Sequence, residues 1–237
     1  MPGVTVTVLP RRDEEARARL DHTAQHVVPV ALAGDQVLPV PGELGALLPG
    51  SALRRGTVVA VGGVVGAGAT TVALGLVAAA TAAGEWAVAV EGERTGQLGG
   101  LAAAEVGVAL HRFAVVRGVA PARWATVVAA LLDGFALVLA ETPPHVRAGD
   151  ARRLVARARE RKTVLVVTRA WPVEAALRLR AEGGHCAELG AGADPLTGRA
   201  LHVVVDGQGA AGSSRTGEVA SGPTAGPTAA PTAVAAD

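Results

Sequence analysis

Residues Thr57–Glu93, TVVAVGGVVGAGATTVALGLVAAATAAGEWAVAVEGE, decide the fold. Thr57–Val61 is a continuous apolar run, the pattern of a parallel strand covered on both faces. Glycines at 62, 63, 66 and 68 interrupt it, and Thr70–Ala83 then reads as an Ala/Val/Leu helix closed by Gly84 at a C-cap. Trp86–Val90 is a second apolar strand. Strand, glycine loop, helix and strand is the order of a phosphate-binding loop, whose pattern is G-x-x-x-x-G-K-[ST]. Here Gly63-Val64-Val65-Gly66-Ala67-Gly68 is followed by Ala69, Thr70 and Thr71. Alanine therefore stands where a lysine would reach the β- and γ-phosphates.

The same stretch raises the membrane question. Gly56–Gly84 holds 29 residues without a charge, and a bilayer needs roughly 20. The cluster of four glycines argues for a turn between a buried strand and a buried helix instead of one continuous helix. The N-terminus, MPGVTVTVLPRRDEE, lacks a basic segment leading into an apolar region, so no signal peptide is expected. The single Cys186 excludes an internal disulfide and suits a reducing cytosol, giving an expected cytoplasmic location without membrane contact. A net charge of +1 excludes strong non-specific attraction of the whole chain to nucleic acid.

On either side, strand and helix patterns alternate. Val37–Gly56 is a Pro/Gly-punctuated lead-in in which Leu44, Leu47 and Leu48 share a helical face. After Glu93 come a helix over 97–106, a strand over 111–116, a helix from Pro121 to Leu132 and the strand Phe135–Ala140. A basic helix, Gly149–Arg161, precedes the strand Thr163–Thr168. Trp171-Pro172 opens a helix to about Ala181, and short strands near 186–189 and 200–205 form an antiparallel edge hairpin. This alternation predicts an α/β fold with a mostly parallel sheet flanked by helices. Residues 1–36 read as an N-terminal arm with a short charged helix, and 37–207 as the core domain. From 208 to 237 the chain is small, polar and Pro-punctuated, with PTA three times, and reads as a disordered tail.

Several of these stretches resemble the core of RecA-type recombinases, and more specifically their short bacterial relatives, the ImuA-type accessory proteins of damage-induced mutagenesis. The resemblance lies in LPVPGELGALLPGSALRRGTVVAVGG, the glycine loop, VALGLVAAATAAGEWAVAVEGE, and VVTRAWPVEAALRLR with the final GRALHVVV. It implies a RecA-like fold over about residues 37–206, a phosphate loop at Gly63–Thr70 and a water-activating acid at Glu93. The acid that would support Mg²⁺ falls at Ala140, with Glu141 next. Glu141 could serve only if the strand ended one residue later, because a one-residue shift reverses side-chain direction. With neither Lys at 69 nor an acid at 140, the domain reads as a pseudo-ATPase without a cofactor or a metal.

The resemblance thus implies a non-catalytic accessory protein of DNA repair, the SOS response and translesion synthesis. It would act by protein–protein interaction with an error-prone polymerase or its clamp-binding partner, or with RecA. A second reading is an active or nucleotide-switched P-loop ATPase with a deviant loop, holding ATP and Mg²⁺ through the backbone N–H groups of Gly63, Gly66 and Gly68 and through Thr70 and Thr71. ParA/MinD-type ATPases share the glycine loop but use an early lysine, and that place is Gly62 or Gly63 here. A third reading is a DNA-binding module built on Arg147, Arg152, Arg153, Arg157, Arg159, Arg161 and Lys162, whose other reading is the solvated face of an amphipathic helix. No aromatic residue lies among these cations to stack on bases. The histidines at 22, 26, 111, 145, 185 and 202 have no metal-site spacing; His22 and His26 share a helical face without a completing ligand.

Overall fold

The computed structural model describes residues 36–93, 98–186, 199–207 and 214–221. The chain divides into two units, Met1–Gln36 and Val37–Asp237, and the second carries the architecture below. The expected N-terminal arm, with His22 and His26, lies outside the described residues.

The second unit opens with a small antiparallel pair, β1 (Val37–Pro39) and β2 (Ala52–Arg54), around helix α1 (Gly42–Leu47). The central elements follow as β3 (Val58–Gly63), α2 (Ala69–Ala82), β4 (Ala87–Gly92), α3 (Gly100–Glu105), β5 (Phe113–Val119) and α4 (Pro121–Leu131). Next come β6 (Leu137–Glu141), α5 (Ala148–Arg161), β7 (Val164–Thr168), β8 (Leu177–Cys186), β9 (Arg199–Gly207) and β10 (Arg215–Ser221). Strands β3 to β10 form one eight-stranded sheet in the order β10-β9-β8-β3-β7-β6-β4-β5. The pairs from β8 to β5 are parallel, and β8-β9-β10 is an antiparallel meander at one edge.

Each central strand is apolar on both faces because each face is covered. Val59, Val61, Leu137 and Leu139 pack beneath α2, with Leu44 and Leu48 of the lead-in joining that layer. Val58, Ala60, Val138 and Ala140 point the other way, against Trp124 and Val128 of α4 and Ala151, Leu154 and Ala158 of α5. The uncharged Gly56–Gly84 stretch resolves into β3, a turn and the 14-residue α2. No helix among the described residues is long and apolar enough to cross a membrane. Helix α2 ends in a Schellman motif: Gly84, at φ +84°, follows the last turn, with Gly84 N–H bonded to Thr81 O and Glu85 N–H to Ala80 O.

Two expectations fail. Residues 171–181 do not form a helix; after a run of bends, Leu177–Ala181 pairs with β3 as the start of β8. Leu177, Leu179 and Ala181 are buried while Arg178 and Arg180 are exposed, a period of two that places the three apolar residues in the α2 layer. The segment read as a disordered tail contains β10, which pairs with β9 from Arg215↔Val205 to Ser221↔Arg199. Helix α1 covers its outer side: the Glu43 carboxylate accepts the Ala220 N–H at 2.5 Å, and Arg215 donates to Leu48 O at 3.2 Å.

Helices α4 and α5 are joined by Asp133, which accepts from Arg157 Nε at 2.8 Å and Nη2 at 2.5 Å and pairs with Arg161 at 3.1 Å. The Arg157 hydrogen bond, aided by the charges of both arginines, holds the Asp133 carboxyl below the ordinary aspartate range. A carboxylate lowered in the folded state stabilises the fold above its unfolded pKa, and that contribution disappears as pH falls through the folded value. The stability advantage of the native chain over Asp133→Asn is therefore expected to be full at neutral pH and to shrink as pH falls below about 4. Melting temperatures of the two chains across pH 3–7 test this; a constant difference would contradict it.

Candidate functional site

The glycine loop sits at the carboxyl edge of the sheet. Val64 to Gly68 connects β3 to α2, tightened by Ala67 N–H to Val64 O at 2.9 Å. Gly68, at φ +99°, is the N-cap of α2, so the first N–H groups of the helix have no intrahelical acceptor and face outward past the loop. A Cβ on Gly68 would lie 2.6 Å from Leu201 Cδ2, and one on Gly63 would overlap the Ala181 carbonyl oxygen. The loop is thus pressed against β8 and β9 on one side and open on the other.

The open side is a cleft of about 760 Å³. Gly63, Gly66, Gly68 and Thr70 line it. Thr71 does not; it borders a separate groove between α1, α2 and β10. Opposite the loop, the cleft is walled by the ends of β4, β6 and β7, through Glu91, Glu141 and Arg169. Clefts at the carboxyl ends of parallel strands are the usual ligand seats of open α/β sheets.

The two acids that the sequence offers, Glu93 and Glu141, differ in their relation to the cleft. Glu93 is exposed in the turn after β4, outside the residues that line the cleft. Glu91, not singled out from the sequence, is buried in the cleft wall. Plain alternation from Ala89 puts Glu91 on the loop side; the β4/β5 register shift beside it places the extra residue on β5, where Val90 to Gly92 faces Val116 to Val119 and Gly118 has φ +69°. Its carboxylate accepts the Leu98 N–H through Oε1 and Arg117 Nε at 2.8 Å through Oε2, while Arg117 Nη2 donates to Leu98 O at 3.0 Å.

Ala140, the expected place of a Mg²⁺-supporting acid, belongs to the layer of α4 and α5 and faces away from the loop. Glu141 is on the loop side, following Leu139 at a spacing of two, and lines the cleft. It pairs with Arg169 Nε at 2.5 Å. Arg169 has φ +67°, a left-handed conformation rarely adopted by a residue other than glycine.

Arg54 and Arg55 lie before β3, at the other edge of the sheet, where Arg55 pairs with Glu85 at 2.5 Å. The basic helix is also remote from the loop, in the opposite layer. Arg147 is its N-cap and Lys162 its C-cap; Arg157 and Arg161 spend their charge on Asp133, and Arg153 pairs with Asp150 at 3.6 Å. Arg152 and Arg159, seven residues apart, are exposed on one face. Among the described residues, no cluster of three His, Cys, Asp or Glu side chains could hold a metal ion.

The family of the MT3502 N-terminal domain matches residues 46–173, just over half of the chain. The chain belongs to this family. The match runs from the end of α1 through the loop after β7, so this family domain includes the glycine loop, Glu91, Glu141, Arg169 and the basic helix. Strands β8 to β10 lie beyond it. A comparison with curated proteins found no match.

Proposed function

We propose that the chain is a non-catalytic, RecA-like accessory protein of DNA repair and translesion synthesis, acting through contacts with an error-prone polymerase or its clamp-binding partner. The observation that carries the non-catalytic part is the state of the cleft acids. Glu91 is held by Arg117 and Leu98, Glu141 is held by Arg169, and the loop has Ala69 in place of lysine. An acid already engaged by a guanidinium is a poor base for water. The strand order supports the RecA-like part: β7 and β6 separate β3 from β4, unlike the 3-2-1-4-5-6 order of dinucleotide-binding folds. The contact role is favoured by Val64 and Val65, 79% and 102% exposed at the loop tip, since adjacent exposed apolar side chains are a common contact feature.

Phosphate release from ATP by the purified chain, with Mg²⁺ and DNA present, is expected to match a protein-free control. Turnover that disappears in Glu141→Gln would overturn the non-catalytic reading. Capture from DNA-damaged cells tests the accessory role, and recovery of no replication or repair protein would count against it. A second reading, nucleotide binding without hydrolysis, is favoured by the open cleft at the loop, because backbone N–H groups hold phosphate without a lysine.

A further inference from the structure

The cleft has an unusual charge pattern for a seat of anions. Among the described residues that line it, Glu91 and Glu141 are acidic and Arg169 is the one cation. Glu91 is already neutralised from behind by Arg117. The charge that a polyphosphate would meet therefore depends on Glu141 and Arg169.

Arg169 is well placed. It directly follows Thr168, which is in register with Val61 of β3, so it emerges from the strand beside the loop-bearing strand. Its side chain is 58% exposed and can change partner with little desolvation cost. Its left-handed backbone is strained in a residue other than glycine. A guanidinium also holds phosphate oxygens with two parallel donors, where an ammonium offers a point charge.

We infer that Arg169 is the phosphate-binding cation of this cleft: the charge lost at Ala69 is supplied from the end of β7, and Arg169 exchanges Glu141 for the phosphates of a nucleoside di- or triphosphate seated on the glycine loop. The inference rests on the nucleotide-binding reading. A cleft of about 760 Å³ accommodates such a ligand, and Val61, Leu98 and Leu139 offer it an apolar wall.

Calorimetric titration of the full chain with ATP, without Mg²⁺, tests the exchange. Arg169→Gly keeps the left-handed backbone without strain and is expected to weaken ATP binding by about tenfold or more. Arg169→Lys should retain part of the affinity. Glu141→Gln should tighten binding, because it releases the guanidinium and removes a negative charge. The opposite signs separate a ligand-binding role from a structural one, in which breaking the pair from either side would weaken binding alike. Arg123→Ala, exposed on α4, should have no effect. Affinity of Arg169→Gly within about twofold of the native chain would overturn the inference while leaving nucleotide binding intact. Weakening in Glu141→Gln as large as in Arg169→Gly would also overturn it. Absence of ATP binding by the native chain would overturn both this inference and the nucleotide reading, and leave the accessory role standing.

Discussion

Gly63→Ala is expected to destabilise the domain by about 3 kcal/mol, while Gly62→Ala stays within about 0.5 kcal/mol of the native chain. The two residues are neighbours at the end of β3 and the change is the same single methyl. At Gly62 that methyl meets nothing within 4 Å. At Gly63 it would overlap the carbonyl oxygen of Ala181, its register partner on β8, and the backbone sits at φ +152°. A carbonyl within a sheet cannot rotate away as a side chain can, so β3 and β8 must separate or the loop must be displaced. For a domain of this size the expected fall in melting temperature is about 6–12 °C, readable by circular dichroism. Equal melting temperatures for the two variants would mean that the β3/β8 junction yields easily. The same contact explains why the loop needs glycine here whether or not it holds a phosphate.

Arg117→Ala is expected to cost about 2 kcal/mol, and adding Glu91→Gln should recover most of it. Removing one partner of a buried ion pair leaves the other charge stranded, which typically costs about 3–5 kcal/mol. The full value does not apply, because Arg117 is 51% exposed although Glu91 is only 5% exposed, so water can partly replace the guanidinium. The Leu98 N–H also remains to support one carboxylate oxygen. Glu91→Gln retains an acceptor for that N–H and carries no charge. A double-mutant cycle by urea unfolding isolates the coupling, and additive single effects would contradict the clamp. Loss of the clamp would also loosen Leu98, which is part of the cleft wall.

The stretch from Thr57 to Glu93 was legible because its signals agree. Glycines break an apolar run too long for one strand, and the 14 residues of α2 end at a glycine in the left-handed conformation. Residues 171–181 read as a helix because Ala, Leu, Arg and Glu are helix formers, and the alternation in LRLRA is too short to outweigh them. Burial between β3 and β9 decided the outcome there. Strand β10 has weak intrinsic preference, since RTGEVAS offers only Val219 to the core. Its place comes from pairing with β9 and the cover of α1, contacts that join residues far apart in sequence.

The site was less legible than the fold. The loop could be placed to the residue, but side-chain direction at strand ends turns on single-residue details. Alternation from Ala89 carries β4 as far as Glu91 and sets that acid in the wall, and one extra residue of β6 gave the cleft Glu141 instead of Ala140. The only trace of Glu91 in the sequence is an acid directly after a buried run, matched by an arginine near the end of the next strand. Arg169 leaves no trace, because nothing in TRAWP marks a positive φ at arginine.

The clasp between α1 and β10 has a consequence for biosynthesis. Glu43 meets the backbone of Ala220 across 177 positions of sequence. The lead-in is made among the first segments of the domain, yet its partner strand emerges only after the whole parallel sheet has been translated. Until residue 221 is available, β9 presents an open edge and the polar flank of α1 has no strand to cap. Contacts of such high sequence separation form late and slowly. The flank of α1 must therefore wait uncovered through most of synthesis, while β9 is followed closely by its partner, and the arrival of β10 closes both at once.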